Sequence, residues 1–380
     1  MKNFLFFIKS NFIILFFLFF FFIAYHLGFV FGAFEDDYSG AHSITMLHLH
    51  EEKNFIELLK TIPNSASGVL PLWLFGFFET YFMHKLISIF IFFIIIFIIW
   101  YVTRLNEYGR YFTLALLTSP MIISGTAWAM PEIFGLFITI LVFSLTYKQV
   151  KSAIILSTLV PLARQTFIVL LFARLFFEPK NLKAYIMMCL ISGISLILLI
   201  YIWQGLVPPN LTRHYDPSIK ASIIALLIFS MYFFYDNLIN FYKYKSSIDS
   251  IRLIISIIVA ITIVLIGINQ PPLAAGGYFF SRLEIKSLIL TSLVEILLLS
   301  LFFYQTKLNT IFFTIFASLS FITTNVIFLK YIDFYFFCFL AYGISDVNNR
   351  FKNLFTSYAK SCFIFQIFSI ITAFIYYYIF

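Results

Sequence analysis

Between Lys85 and Arg104 the chain carries no charge; the stretch 86–103 is built of Ile, Phe, Leu, Trp, Tyr and Val, with Ser88 and Thr103 as its polar members. So long an apolar run has no cheap place in water. A bilayer core about 30 Å thick needs roughly 20 such residues wound as a helix, which bonds each backbone N–H and C=O within the segment. Further runs fall near 10–33, 111–127, 132–147, 152–163, 165–178, 184–206, 220–241, 252–268, 287–304, 309–329, 333–345 and 360–380. The pattern predicts an all-α, polytopic integral membrane protein of about 11–13 transmembrane helices, with 1–380 as a single membrane domain. The first run is too long for a secretory h-region and reads as a retained anchor. The pair at 152–163 and 165–178, broken by Pro161 and Arg164, reads either as a bent hairpin or as one kinked helix.

Composition closes off the soluble classes. Hydrophobic residues make up 62% and charged ones 11%, against about a quarter charged in soluble domains. A net charge of +8 would point a soluble protein toward nucleic acid. In a membrane protein it marks cytoplasmic loops, so a lipid bilayer is the expected partner and no nucleic acid is. Cys189, Cys338 and Cys362 stand in apolar stretches without metal-type spacing.

Placing Lys2 and Lys9 inside sorts the charges. Nine of the 25 basic residues then fall outside: Lys53, Lys60, Lys85, Arg164, Arg213, Lys220, Arg282, Lys286 and Lys330. The other sixteen fall inside, as the positive-inside rule expects. The N-terminus is therefore expected in the cytoplasm and the working face outside: periplasmic, extracellular or lumenal. The expected inner connectors are short (104–110, 148–151, 179–183, 243–251, 305–308 and 346–359), whereas the first outer segment, 35–83, is long. Long loops are where binding groups converge.

That loop opens with Glu35-Asp36-Asp37 at the exit of the first run. Two readings stand: an interfacial stop solvated by headgroups, or a general base whose pKa is raised at the edge of a low-dielectric region. Residues 41–60 have apolar groups at roughly helical spacing and read as an amphipathic helix lying on the membrane. His42, His48 and His50 stand near the acids but match no standard zinc spacing. The metal is left unknown, with a divalent cation, Mg or Mn, as the cofactor these acids would suit.

An acidic pair directly after the first span, followed by an interfacial helix in a large first outer loop, resembles the GT-C superfamily of polytopic glycosyltransferases. The resemblance covers the N-terminal third by layout. It implies a polyprenyl-phosphate-linked sugar as donor, a glycan or lipid-linked acceptor, and a catalytic base at Asp36 or Asp37. Arg164-Gln165-Thr166 also looks like a short stretch of the α-1,2-glucosyltransferase branch. The His that follows the acidic pair by four residues in that branch is absent, and His42 comes later, so no single family is assigned.

Other outer groups are candidates by chemistry. A lipid phosphate needs fixed cations, and the forked Arg guanidinium suits it. Arg164, Gln165, Arg213, His214, Arg282 and Lys330 are the expected donor-binding set. Glu35, His42, Glu132, Asp216 and Asp333 are expected to support the acceptor. Each has a plainer reading: Glu132 suits a helix N-terminus after Pro131, Lys330 and Asp333 suit a corner salt bridge, and Arg213 to Asp216 suit a solvated loop. Glu295 lies within a run, where a carboxylate is costly, and favours a transporter. The expected function is an inverting glycosyltransferase. The alternatives are a transporter or flippase for lipid-linked saccharides and an oligosaccharide polymerase.

Overall fold

The computed structural model describes residues 81–379, apart from 105, 128–131, 147–148, 178–181, 205–217, 245–247, 271–273, 277–286, 323–325 and 346–348, together with 70, 73, 74, 77 and 78. The expected anchor at 10–33, the acidic run and the amphipathic helix at 41–60 lie outside the described residues.

The architecture is helical. In chain order the helices are α1 (Tyr81–Thr103), α2 (Glu107–Thr118), α3 (Pro120–Ala127), α4 (Glu132–Thr146), α5 (Val150–Ser157), α6 (Leu159–Ala163), α7 (Ile168–Phe176) and α8 (Leu182–Trp203). They continue with α9 (Ile219–Tyr232), α10 (Phe234–Lys243), α11 (Ser250–Ile268), α12 (Leu288–Gln305), α13 (Leu308–Leu319), α14 (Leu329–Ser345) and α15 (Asn349–Ile379). Two three-residue strands, β1 (Ala274–Gly276) and β2 (Val326–Phe328), pair in parallel and tie two loops together.

Among the described residues five helices are long and apolar enough to cross a membrane, or six if the bent pair α9–α10 is one span. The runs at 84–103, 184–206, 252–268, 287–304 and 360–380 thus each become a long helix. The other expected spans among the described residues are shorter or broken, for local reasons. Pro120 lacks an N–H, and the extended Ser119 separates α2 from α3, its hydroxyl accepting from the Ile122 N–H at 3.1 Å. The run at 220–241 bends by 57° at Phe233. Within the run at 309–329, helix α13 ends at Leu319. The inner connector expected at 346–359 is mostly helix: α15 starts at Asn349 and packs along α2.

The broken pair near 160 shows how the bundle repairs a proline. Pro161 leaves the Ser157 carbonyl without its helical donor. Ser192, one helix away on α8, donates to that carbonyl at 2.6 Å. In lipid this kind of cross-helix satisfaction is what permits a break at all. The helix then stops at Arg164, which is extended (φ −161°, ψ 124°), before a turn of 3-10 helix at Gln165–Phe167.

Helix α14 is the axis of the bundle. From Ile332 to Tyr342 each residue is buried, and α4, α3, α15, α9, α7 and α1 surround it. A helix apolar on all sides belongs in such a place. Aromatic rings sheathe it: Phe313 stacks on Phe339 at 4.6 Å and Tyr232 on Phe336 at 4.1 Å. By contrast α8 and α11 expose rows of Ile and Leu, including Leu190, Ile194, Ile197, Ile254, Ile258 and Leu265. Those faces suit lipid.

Candidate functional site

Two polar centres are buried against α14. In the first, Arg164 Nη1 donates to Glu132 Oε1 at 2.6 Å, with side-chain exposures of 8% and 2%. Glu132 is the first residue of α4, where the helix dipole favours a carboxylate. Arg164 is presented by the extended break after α6. Gly135 brings the two segments together: a Cβ there would stand 2.9 Å from the Phe167 ring. Phe167 in turn packs edge-on against Tyr335 of α14 at 5.9 Å. Cys338 of α14 lies within electrostatic reach of Arg164 and faces the Thr139 hydroxyl.

In the second centre, the Asp333 carboxylate accepts from three donors on three different elements. Ser119 donates at the α2–α3 break, Tyr232 from the end of α9, and Gln366 of α15 at 2.7 Å. Asp333 is 1% exposed. A buried charge persists only when hydrogen-bonded in this way.

The two centres stand level. Gly135 and Tyr335 both meet Phe167, and Thr139 faces Cys338, so α4 and α14 run in the same direction. Asp333 precedes Cys338 by five residues and Glu132 precedes Thr139 by seven. At about 1.5 Å per residue, the two carboxylate-bearing positions lie within about 3 Å of one level. The buried His84, bonded to the Phe78 carbonyl at 2.8 Å, sits in the first turn of α1.

Among the expected site residues, Glu132 and Arg164 are therefore brought together, paired with each other. Gln165 follows in the 3-10 turn, half-buried. Asp333, expected at a loop corner beside Lys330, is instead inside a helix that begins at Leu329. Lys330 is in the first turn of that helix, and its side chain lies outside the described residues. Glu35, Asp36, Asp37, His42, Arg213, His214, Asp216 and Arg282 also lie outside them. Among the described residues no group of three or more His, Cys, Asp or Glu comes together to hold a metal.

Ser119, Tyr232, Gln366 and Thr139 were not singled out by the sequence reading. Gln366 carries a signal in hindsight, as a lone amide within the apolar run 362–368. Ser119 carries another, as a helix-capping residue before a proline inside a span. A second polar seam runs along α15: Ser357 donates to Asp236, the hydroxyls of Thr310 and Tyr358 stand 2.8 Å apart, and Lys360 lies 5.8 Å from the Tyr111 ring centroid.

No family model, curated protein or solved structure matches the chain.

Proposed function

We propose that the chain is an inverting glycosyltransferase of GT-C type, with the full complement of about 11–13 spans and an interfacial helix in its first outer loop. It moves a sugar from a polyprenyl-phosphate or -diphosphate donor to a glycan or lipid-linked acceptor at the outer membrane face. What supports the reading is a guanidinium held inside an apolar helix bundle: Glu132, at the start of α4, fixes Arg164 at the break after α6 at 2.6 Å.

Asp36 or Asp37 takes the proton from the acceptor hydroxyl. The hydroxyl oxygen attacks the anomeric carbon, the bond to the lipid phosphate breaks, and the configuration inverts. Phosphate leaves without a strong acid. Glu132 fixes the Arg164 guanidinium toward that phosphate, where Arg213, Arg282 and Lys330 add positive charge. Asp333 holds the helix ends that frame the site.

The test is sugar transfer by Asp36→Asn and Asp37→Asn in membranes supplied with a labelled polyprenyl-phosphate sugar. A loss of about 100-fold or more is expected in at least one variant, the usual worth of a general base. Full transfer by both sinks the reading. A second reading, a flippase for lipid-linked saccharides, is favoured by Glu295 and Lys220, which line one membrane cleft. It calls for movement of the lipid-linked sugar across the bilayer without a new glycosidic bond. A polymerase would instead give products of many repeats.

A further inference from the structure

Helix α1 has two long faces. One is packed into the bundle, with Ser88, Ile91, Ile95 and Ile99 buried. The other carries Leu86, Phe90, Phe93, Phe97 and Trp100, exposed along the helix at alternating steps of four and three residues. Such steps average about 3.5 residues, the spacing along which one helix lies on another. Where α8 and α11 turn mostly Ile and Leu outward, this face of α1 turns aromatic rings outward. Large rings of this kind fill the hollows of a partner helix built from small residues.

The chain holds a segment that fits. The apolar run 10–33, outside the described residues, precedes α1 and is long enough to span. Consecutive spans cross the bilayer in opposite directions, and consecutive elements are usually neighbours in space. Ala24, Gly28 and Gly32 recur in the run at every fourth residue, the small-residue spacing that lets a second helix approach closely in lipid. With the two outer ends set level, Gly32 falls opposite Leu86, Gly28 opposite Phe90, and Ala24 opposite Phe93. Phe21 and Phe17 then meet Phe97 and Trp100. Phe17 to Gly32 covers about 22 Å of helix and Leu86 to Trp100 about 21 Å, so the stripes match in length. We propose that the run 10–33 docks antiparallel on the Leu86–Trp100 face of α1 through its Ala24, Gly28 and Gly32 stripe.

The docking deepens the functional reading. Gly109 abuts the Thr103 side chain, and the Tyr108 hydroxyl donates to the Leu340 carbonyl, so α1 and α14 end together. Since α4 and α14 run in the same direction, α1 starts at the end of the bundle where α4 starts with Glu132. Docked on α1, the run delivers Glu35, Asp36 and Asp37 to that end. This consequence rests on the transferase reading; the packing does not.

The experiment is disulfide crosslinking of the full chain in membranes. The background carries Cys189→Ala and a protease site after Ser65; Cys338 and Cys362 are buried and stay. After oxidation and cleavage, Gly28→Cys with Phe90→Cys, and Phe21→Cys with Phe97→Cys, should each hold the two fragments together until reductant is added. Gly28→Cys with Ile194→Cys, on the exposed face of α8, should not. Without any added thiol, Gly28→Leu should lower the melting temperature of the solubilised protein, and Phe90→Ala added to it should recover part of the loss. Separate fragments from both α1 pairs, or a Gly28→Leu protein as stable as the wild type, overturn the proposal. So does a crosslink of equal yield to the α8 position. A band at twice the mass from Phe90→Cys alone assigns the face to a second copy and overturns it too. If both α1 crosslinks form while Asp36→Asn and Asp37→Asn transfer sugar fully, the packing stands and the transferase reading falls.

Discussion

Arg164 and Glu132, 32 residues apart in the chain, meet inside the bundle at 2.6 Å. The contact joins a helix start to a helix break, and both groups are out of water. Breaking one side of such a pair leaves the other charge uncompensated. Arg164→Met alone should lower the stability of the detergent-solubilised protein by about 3–5 kcal/mol. The double variant Glu132→Leu with Arg164→Met should recover much of that loss. Thermal unfolding of the four proteins of the cycle decides it. Additive losses would mean that the pair is not coupled.

Asp333 gathers donors from three elements, so its loss should loosen all of them together. Tyr232→Phe removes one donor and is expected to cost about 1 kcal/mol. Asp333→Ala leaves the Ser119, Tyr232 and Gln366 donors without their shared acceptor and should cost more, about 1–3 kcal/mol or above. With Asp333 already replaced, Tyr232→Phe should be nearly silent. Unfolding midpoints of the two single variants and the double variant test this, and an unchanged Tyr232→Phe cost in the Ala background would refute it.

The close approach at Gly135 sets where Arg164 sits. Gly135→Ala pushes a methyl toward the Phe167 ring, and overpacking of this kind costs about 1–3 kcal/mol. Shrinking the ring in Phe167→Leu should restore part of it. Melting temperatures of the single and double variants are the measurement. If Gly135→Ala is as stable as the wild type, the contact is not tight.

The Ser192 hydroxyl matters only because Pro161 frees a carbonyl. Ser192→Ala should cost about 1–3 kcal/mol in the wild-type chain, by leaving the Ser157 carbonyl buried without a donor. In a Pro161→Ala background the helix supplies its own N–H, and the same change should cost little. Equal costs in both backgrounds would count against this account.

The legible part of the fold was set by hydropathy. Runs such as 84–103 and 252–268 have no soluble alternative, and each became a long helix. The breaks were half-legible: Pro161 and Arg164 marked one, whereas the break at Pro120 falls inside the expected span 111–127, and where each is satisfied depended on partners. Asp333 shows the difference. Its neighbours in sequence suggested a corner with Lys330, whereas its donors come from 33, 101 and 214 residues away. No local pattern encodes such distances.

By itself the sequence determined that this chain resides in lipid, because its apolar runs and scarce charge leave no other solvent. It also determined which few charged groups merited attention, since each one in such a chain is costly to place. The tertiary structure decided which of them meet. Burial removes water as a partner, so Glu132 took Arg164, and Asp333 took Ser119, Tyr232 and Gln366. Only the packing of α3, α4, α9 and α15 around α14 brought those groups within hydrogen-bonding reach.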